Sequence, residues 1–266
     1  MNDVEGLVVT RSGSVATLRL NKPERLNALN REMQDGIAEF ADEAAADPSI
    51  RAVVVTGTGR AFCSGDDISG TQAPQPDPSE RYGPVHLELG SVYRFVKSFM
   101  SMSKPVIAAL NGRCHGAGFA LACACDFRVA SSDALIGDIR AGKAIFFGQG
   151  TPLLLPRLIG HSRALDLLVT GRVIDAVEAE RFGLVQRVWS PETFEAELER
   201  FVDEIANGPT VTQAAWKLAT NRSALNELEA YSIYERQVSQ VARESADSAE
   251  GRLAFREKRA PLFTGR

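Results

Sequence analysis

Two glycine-bearing stretches hold the residue types that could stabilise negative charge on a ligand. The first is Gly57-Thr58-Gly59-Arg60-Ala61-Phe62-Cys63-Ser64-Gly65-Asp66-Asp67-Ile68. The second is Asn111-Gly112-Arg113-Cys114-His115-Gly116-Ala117-Gly118-Phe119-Ala120-Leu121. Each begins where an expected strand ends, a common place for ligands in α/β proteins. Glycine lets backbone N–H groups come close to a ligand. The second stretch also opens a helix, whose unbonded N–H groups and dipole favour an oxygen bearing negative charge. Neither stretch ends in Gly-Lys-Ser/Thr and neither has the dinucleotide spacing, so a phosphate loop is set aside. Metal chemistry is not expected. The three histidines are scattered at 86, 115 and 161. Cys123 and Cys125 are two apart, so on a helix they point about 200° away from each other.

The elements that would position these stretches alternate strand and helix. Leu7 to Thr10 and Val15 to Leu20 predict a hairpin around Arg11-Ser12-Gly13-Ser14, the second strand alternating in period two. Leu29, Met33, Ile37 and Phe40 recur at helical spacing, with Asn27 or Asn30 as N-cap and Pro48 as the stop. Arg51 to Thr56 is a β-branched run closed by Gly57, the pattern of a buried strand. The same grammar gives a strand over Pro105 to Leu110, a short helix over Gly116 to Cys125 and a strand over Phe127 to Ala130. Strand, helix and returning strand together predict an α/β architecture. Gly70 to Pro84 carries four prolines, which excludes a regular element; it is either a surface loop or a segment covering a site. Beyond it, Val85 to Met102 predicts an amphipathic helix. From about Pro191 the chain reads as helical. Phe194, Leu198, Phe201 and Ile205 form one stripe, and Gly208-Pro209 breaks it. The expected division is a body over residues 1–190 and a helical region over 191–266.

Composition narrows the function classes. The chain has 266 residues, 44% hydrophobic and 24% charged, with a net charge of −4 and a pI near 5.6. An acidic balance argues against nucleic-acid binding. The longest uncharged runs, Cys114 to Cys125 and Ala144 to Pro156, fall short of the roughly 20 residues a membrane helix needs. Met1 to Gly6 is polar and acidic, unlike a signal peptide. Four cysteines without a secretory signal imply reduced thiols and a cytoplasmic location.

Taken together, the ordered motifs resemble the crotonase (enoyl-CoA hydratase/isomerase) superfamily. Asn21-Lys22-Pro23-Glu24-Arg25-Leu26-Asn27-Ala28-Leu29 is similar to its early Pro…Asn-Ala-Leu motif. Arg60 to Ile68 is similar to its Ala-Phe-x-x-Gly-x-Asp-Ile/Leu motif. Lys104 to Gly112, Leu155 to Gly160 and Glu250 to Phe263 follow the family pattern as well. The resemblance implies a spiral of ββα units and a C-terminal helical region that builds homo-trimers or hexamers. It implies an acyl-CoA thioester substrate and no separate cofactor, coenzyme A being part of the substrate. It also implies an oxyanion hole at the N–H groups of Asp66 and Ala117. Preorganised donors of this kind are commonly worth about 3–4 kcal/mol each. The backbone around Ala61, Cys63, Ser64 and Asp66 would face the adenine and pantetheine arm. Gly65, Ile68, Gly116, Ala120 and Arg140 complete the implied substrate-binding set. Arg25 is a candidate for the phosphates, or a surface charge. Phe255 and Lys258 would close the adenine pocket, with core packing and solvation as their respective alternatives.

The chain departs from the hydratase pattern where it matters chemically. The resemblance places the two hydratase glutamates at positions here held by Ala120 and Arg140. Alanine cannot hold a water by charge, and arginine cannot act as a base near neutral pH. Efficient hydration is therefore not expected. Three substitutes remain open. A two-residue slip would bring in Asp138. The Asp66 carboxyl could turn inward, though a carboxylate there would repel an enolate. His115 could serve as acid or base, since its free pKa lies near neutrality. Asp67 reads as a structural acceptor, and His86 as a surface residue. Arg140 and Lys143 could instead meet a carboxylated acyl group. The alternatives to a hydratase/isomerase are a thioester or C–C hydrolase, a decarboxylase, and an acyl-CoA binder without turnover.

Overall fold

The computed structural model of the chain describes residues 4–67 and 91–266, residues 91 and 92 by backbone alone. Ile68, the proline-rich segment and His86 lie outside the described residues. Strands β1 (Leu7–Ser12) and β2 (Val15–Leu20) form the expected hairpin. Ser12 pairs with Val15, so the turn shrinks to Gly13-Ser14, shorter than the sequence suggested. Helix α1 (Arg31–Ala46) starts at Asn30, whose Oδ1 accepts the Met33 N–H at 2.8 Å. Asn27, the other candidate cap, is fully buried and has a different task. It accepts the Lys22 N–H and donates to the carbonyls of Thr58 and Ala61, clamping the turn before the first glycine motif.

Two sheets share the remaining strands. The larger has the order β1-β2-β3-β5-β7-β10, with β3 at Ala52–Gly57, β5 at Val106–Leu110, β7 at Phe127–Ser131 and β10 at Arg187–Trp189. The smaller has the order β4-β6-β8-β9, with β4 at Ala61–Cys63, β6 at Arg113–His115, β8 at Leu135–Gly137 and β9 at Ile174–Asp175. Apart from the β1·β2 and β8·β9 pairs, neighbours run parallel. From β3 to β8 the chain lays strands alternately in the large sheet and the small one. Helix α2 (Ser91–Ser101) follows β4, and helix α3 (Ala117–Ala124) follows β6. This is a spiral of ββα units.

The large sheet is covered on both faces, which explains why β3 and β5 read as unbroken apolar runs. Alternate side chains point to opposite faces. Val53 and Val55 join Leu18, Phe95, Phe99 and Phe119 on one side. Val54, Ile107 and Val129 meet Phe194, Leu198 and Val202 on the other. Those last three belong to helix α7 (Phe194–Ala206). Earlier in the chain than α7 come α4 (Thr151–Ile159), α5 (His161–Thr170) and α6 (Ala176–Phe182). After the expected break, α8 (Thr210–Glu244) and α9 (Ala246–Glu257) complete the C-terminal helical region. Lys217 pins α8 to the body. Its buried Nζ donates to the carbonyls of Phe99 and Lys104 and pairs with Asp126 at 2.7 Å. Among the described residues, no helix is long and apolar enough to cross a membrane.

Candidate functional site

The small sheet builds the site. Parallel pairing sets Cys63 beside Cys114 and His115 beside Gly137. The segments leaving β4, β6 and β8 therefore emerge side by side. They are Ser64-Gly65-Asp66, Gly116-Ala117 and Asp138-Ile139-Arg140. Two glycines let the first two segments touch. Gly65 has φ +111° and Gly116 has φ +54°, conformations that L side chains rarely adopt. A Cβ placed on Gly65 would lie 3.6 Å from the Ala117 nitrogen, and one on Gly116 would lie 3.3 Å from the Gly65 Cα. Ala117 is the first residue of α3, where a backbone N–H has no partner within the helix. The two N–H groups named from the sequence thus belong to abutting segments. A bridge between Leu29 and Asp66 fixes the first of them: Leu29 donates to the Gly65 carbonyl at 2.8 Å, and Asp67 donates to the Leu29 carbonyl at 2.9 Å.

Beside these two N–H groups the positions matched to the hydratase glutamates hold Ala120 and Arg140. Ala120 is fully buried on α3 and offers a methyl group. Arg140 reaches back under Gly116, where its Cδ and Nε lie 3.9 Å from the position of an added Cβ. Its guanidinium is not a free cation awaiting a ligand. Nε donates to Asp138 Oδ1 at 2.7 Å and one terminal nitrogen to Oδ2 at 2.5 Å. The other terminal nitrogen donates to the Phe147 carbonyl and to Gln149 Oε1. Asp138, 5% exposed, is therefore tied into a bidentate ion pair.

The network continues to Asp66. Gln149 Nε2 donates to Asp66 Oδ1 at 3.2 Å, and Gln34 Nε2, from α1, donates to the same oxygen at 2.9 Å. Burial raises the Asp66 pKa above the usual carboxylate value, against the lowering effects of Arg140 and the two carboxamides. Glu235, on α8 and 2% exposed, closes the chain by accepting the N–H groups of Gln149 and Gly150. Gln34, Gln149 and Glu235 were not singled out from the sequence.

The other candidates range from this corner to the last helix. Burial pulls the His115 pKa down, with Arg113 and Lys143 adding to the effect. Its Nε2 is buried and has no hydrogen-bond partner among the described residues. Cys63 receives the Gly65 N–H on its sulfur at 3.4 Å, and burial pushes its thiol up to about 12, so it packs rather than reacts. Ala61 is buried, and its carbonyl accepts from both Asn27 and Asn111. Arg25 is exposed but sits by the first motif, since Ser64 Oγ donates to its carbonyl at 3.3 Å. Phe255 is not in the core: it is 48% exposed and lies beneath the Lys143 ammonium, 4.5 Å from its ring centre. Lys258 is exposed at the C-terminus of α9. Among the described residues, no cluster of three or more His, Cys, Asp or Glu could hold a metal ion.

The enoyl-CoA hydratase/isomerase family model matches residues 10–266. The chain belongs to that family. It is 34% identical to 1,2-epoxyphenylacetyl-CoA isomerase of Escherichia coli, over 95% of each chain. It is 35% identical to (E)-benzylidenesuccinyl-CoA hydratase of Thauera aromatica, covering 96% of this chain and 97% of the relative. Among solved structures, an enoyl-CoA hydratase from Mycobacterium avium subsp. paratuberculosis superimposes with a TM-score of 0.87 at 31% identity. That match covers 98% of this chain and all of the other. The crotonase fold, with its C-terminal helices, and an enzyme of the hydratase/isomerase type follow for this family member.

Proposed function

We propose that this crotonase-family enzyme binds an acyl-CoA thioester and stabilises its enolate between the N–H groups of Asp66 and Ala117, moving protons in preference to adding water. One observation carries this reading. The two glycine segments are in contact at Gly65 and Gly116, while the adjoining corner holds the Ala120 methyl and an Arg140 already paired with Asp138. The hole supplies what every enolate-forming reaction of a thioester needs. A hydratase also needs groups to hold and activate a water, and two positioned carboxylates divide those duties. Here neither corner position supplies one. A reaction that relocates a proton needs a single acid–base group and is the better match. On this reading the coenzyme A arm runs past Ala61, Ser64 and Arg25, and the Lys143–Phe255 pair stands at its adenine end.

The same reading expects a trimer or hexamer. Trp216, Tyr234 and Val241 of α8 are 72%, 61% and 72% exposed, a run of large apolar side chains suited to packing on copies of the chain. Light scattering coupled to gel filtration is expected to return the mass of three or six chains.

The functional test is loss of the conjugated-enoyl absorbance of crotonyl-CoA, beside an authentic hydratase at equal concentration, and its gain from a 3-enoyl-CoA. Hydration slower than the control by about three orders of magnitude is expected, the range general acid–base groups supply. Hydration within about tenfold of the control would overturn the reading of Ala120 and Arg140. Binding of both thioesters with neither reaction would make the protein a binder without turnover.

A further inference from the structure

We propose that the Asp66 side chain, and not only its backbone N–H, acts on the substrate: its carboxyl takes and returns the proton on the carbon next to the thioester carbonyl. This rests on the enolate reading above and names the acid–base group which that reading leaves open.

The residue whose N–H lines the hole also carries the carboxyl, so the two are separated by the span of one side chain. Gln34 and Gln149 approach from α1 and from the turn before α4, and both donate to Oδ1. Two neutral donors on one oxygen fix the carboxyl's rotation without adding charge, and they leave Oδ2 as the oxygen for proton transfer. Carboxyls also outnumber cations here. Asp66, Asp138 and Glu235 all act on one buried guanidinium, that of Arg140. Asp138 holds that guanidinium by two bonds, and Glu235 is satisfied by two backbone N–H groups. Among the described residues the side-chain donors to Asp66 are the two carboxamides, so of the three it is the one on which a proton costs least to keep. When protonated it does not repel an enolate, which removes the objection raised by its charge. The burial-driven rise of its pKa points the same way. His115, at the end of β6, also stands at this corner beside Lys143 and Asp138, and burial favours its neutral form.

The transfer balances without a further reactant. Ionised Oδ2 forms an O–H bond with the α-hydrogen. The C–H pair becomes the enolate double bond, and the carbonyl π pair moves onto the oxygen held by Asp66 N–H and Ala117 N–H. On return the O–H bond breaks and a C–H bond forms at the α-carbon, or at the γ-carbon of a dienolate, as the thioester carbonyl re-forms.

Deuterium uptake at the α-carbon of butyryl-CoA in D2O tests this directly, because that thioester can enolise but can be neither hydrated nor isomerised. The wild type is expected to exchange faster as pH rises and to level off above the Asp66 pKa. Asp66→Asn keeps the N–H and an oxygen for Gln34 and Gln149. It is expected to bind butyryl-CoA as well as wild type, to exchange at least about 100-fold more slowly, and to lose the inflection. Asp66→Glu is expected to recover part of the rate. Exchange by Asp66→Asn at the wild-type rate overturns the role of Asp66 alone. So does an Asp66→Glu variant no faster than Asp66→Asn, which would assign the loss to positioning. A wild type that binds butyryl-CoA without exchanging it, or does not bind it, overturns the enolate reading, and this inference with it.

Discussion

Arg140→Met separates a structural lock from a ligand-seeking cation. In the native chain the Arg140 and Asp138 side chains are 9% and 7% exposed and share two bonds of 2.7 and 2.5 Å. Removing one member of a buried pair strands the other, at a cost of about 3–5 kcal/mol. The substitution also strips a donor from the Phe147 carbonyl and from Gln149 Oε1. Each lost bond adds about 1 kcal/mol. Asp138 still accepts its loop's own N–H from Arg140 and can shift toward solvent. We therefore expect a loss of about 3–4 kcal/mol, the lower part of the combined range. Pairing Arg140→Met with Asp138→Leu removes the stranded charge and should recover about 2 kcal/mol of it. Urea unfolding at fixed protein concentration, followed by the fluorescence of Trp189 and Trp216, reads all four chains of the cycle. A single variant within about 1 kcal/mol of wild type would refute the lock, as would a double variant whose loss equals the sum of the singles.

Three further outcomes follow from the same contacts. The folded pKa of Asp66 is raised, so its stabilising contribution is complete below the unfolded value near 3.9 and is lost as pH climbs through the folded value. Asp66→Asn should therefore gain Tm relative to wild type as pH rises from about 4 up to the folded pKa, and a flat difference would contradict the shift. Glu235→Gln can accept only one of the N–H groups of Gln149 and Gly150, at a cost of about 1–3 kcal/mol, and faster amide exchange at those two residues is the specific readout. Lys217→Met strands Asp126 and two carbonyls beneath α8 and should cost about 3–5 kcal/mol in urea unfolding; less than about 1 kcal/mol would show that α8 docks without it.

The long elements were legible because their periods are unambiguous. β2, α1, β3, β5 and α7 fall where alternation or helical stripes put them. The small sheet was not: β4, β6, β8 and β9 are two or three residues each, too short to show a period. Yet those strands, by their parallel register, bring the site's three segments together. Their partnership was readable only through the family resemblance. The supporting polar residues divide in the same way. Gln34 stands in a helical row with Ala38 and Ala41, an amide among buried small residues, and could have been noticed as an intruder. Glu235 could not. Its buried row on α8 runs Ala224, Leu228, Ser232, Glu235 and Ser239, polar through its second half, so the buried face reads as a solvated one. Asp66 was visible as a backbone position and its inward carboxyl as one open alternative, but the two amides that hold that carboxyl come from distant parts of the chain.

Helix α8 acts as a rod with two fastenings. Lys217 grips the body near one end, and Glu235, 18 residues on, grips the turn that holds Gln149. At 1.5 Å per residue the grips are about 27 Å apart. Trp216 and Tyr234, each next in sequence to one of these anchors, turn outward. A copy of the chain that presses on those two rings bears on the rod at both fastenings. In the trimer or hexamer proposed above, quaternary contact and the order of the Asp66 corner then draw on the same rigid body, and specific activity should fall on dilution below the concentration at which that assembly comes apart, before any loss of secondary structure.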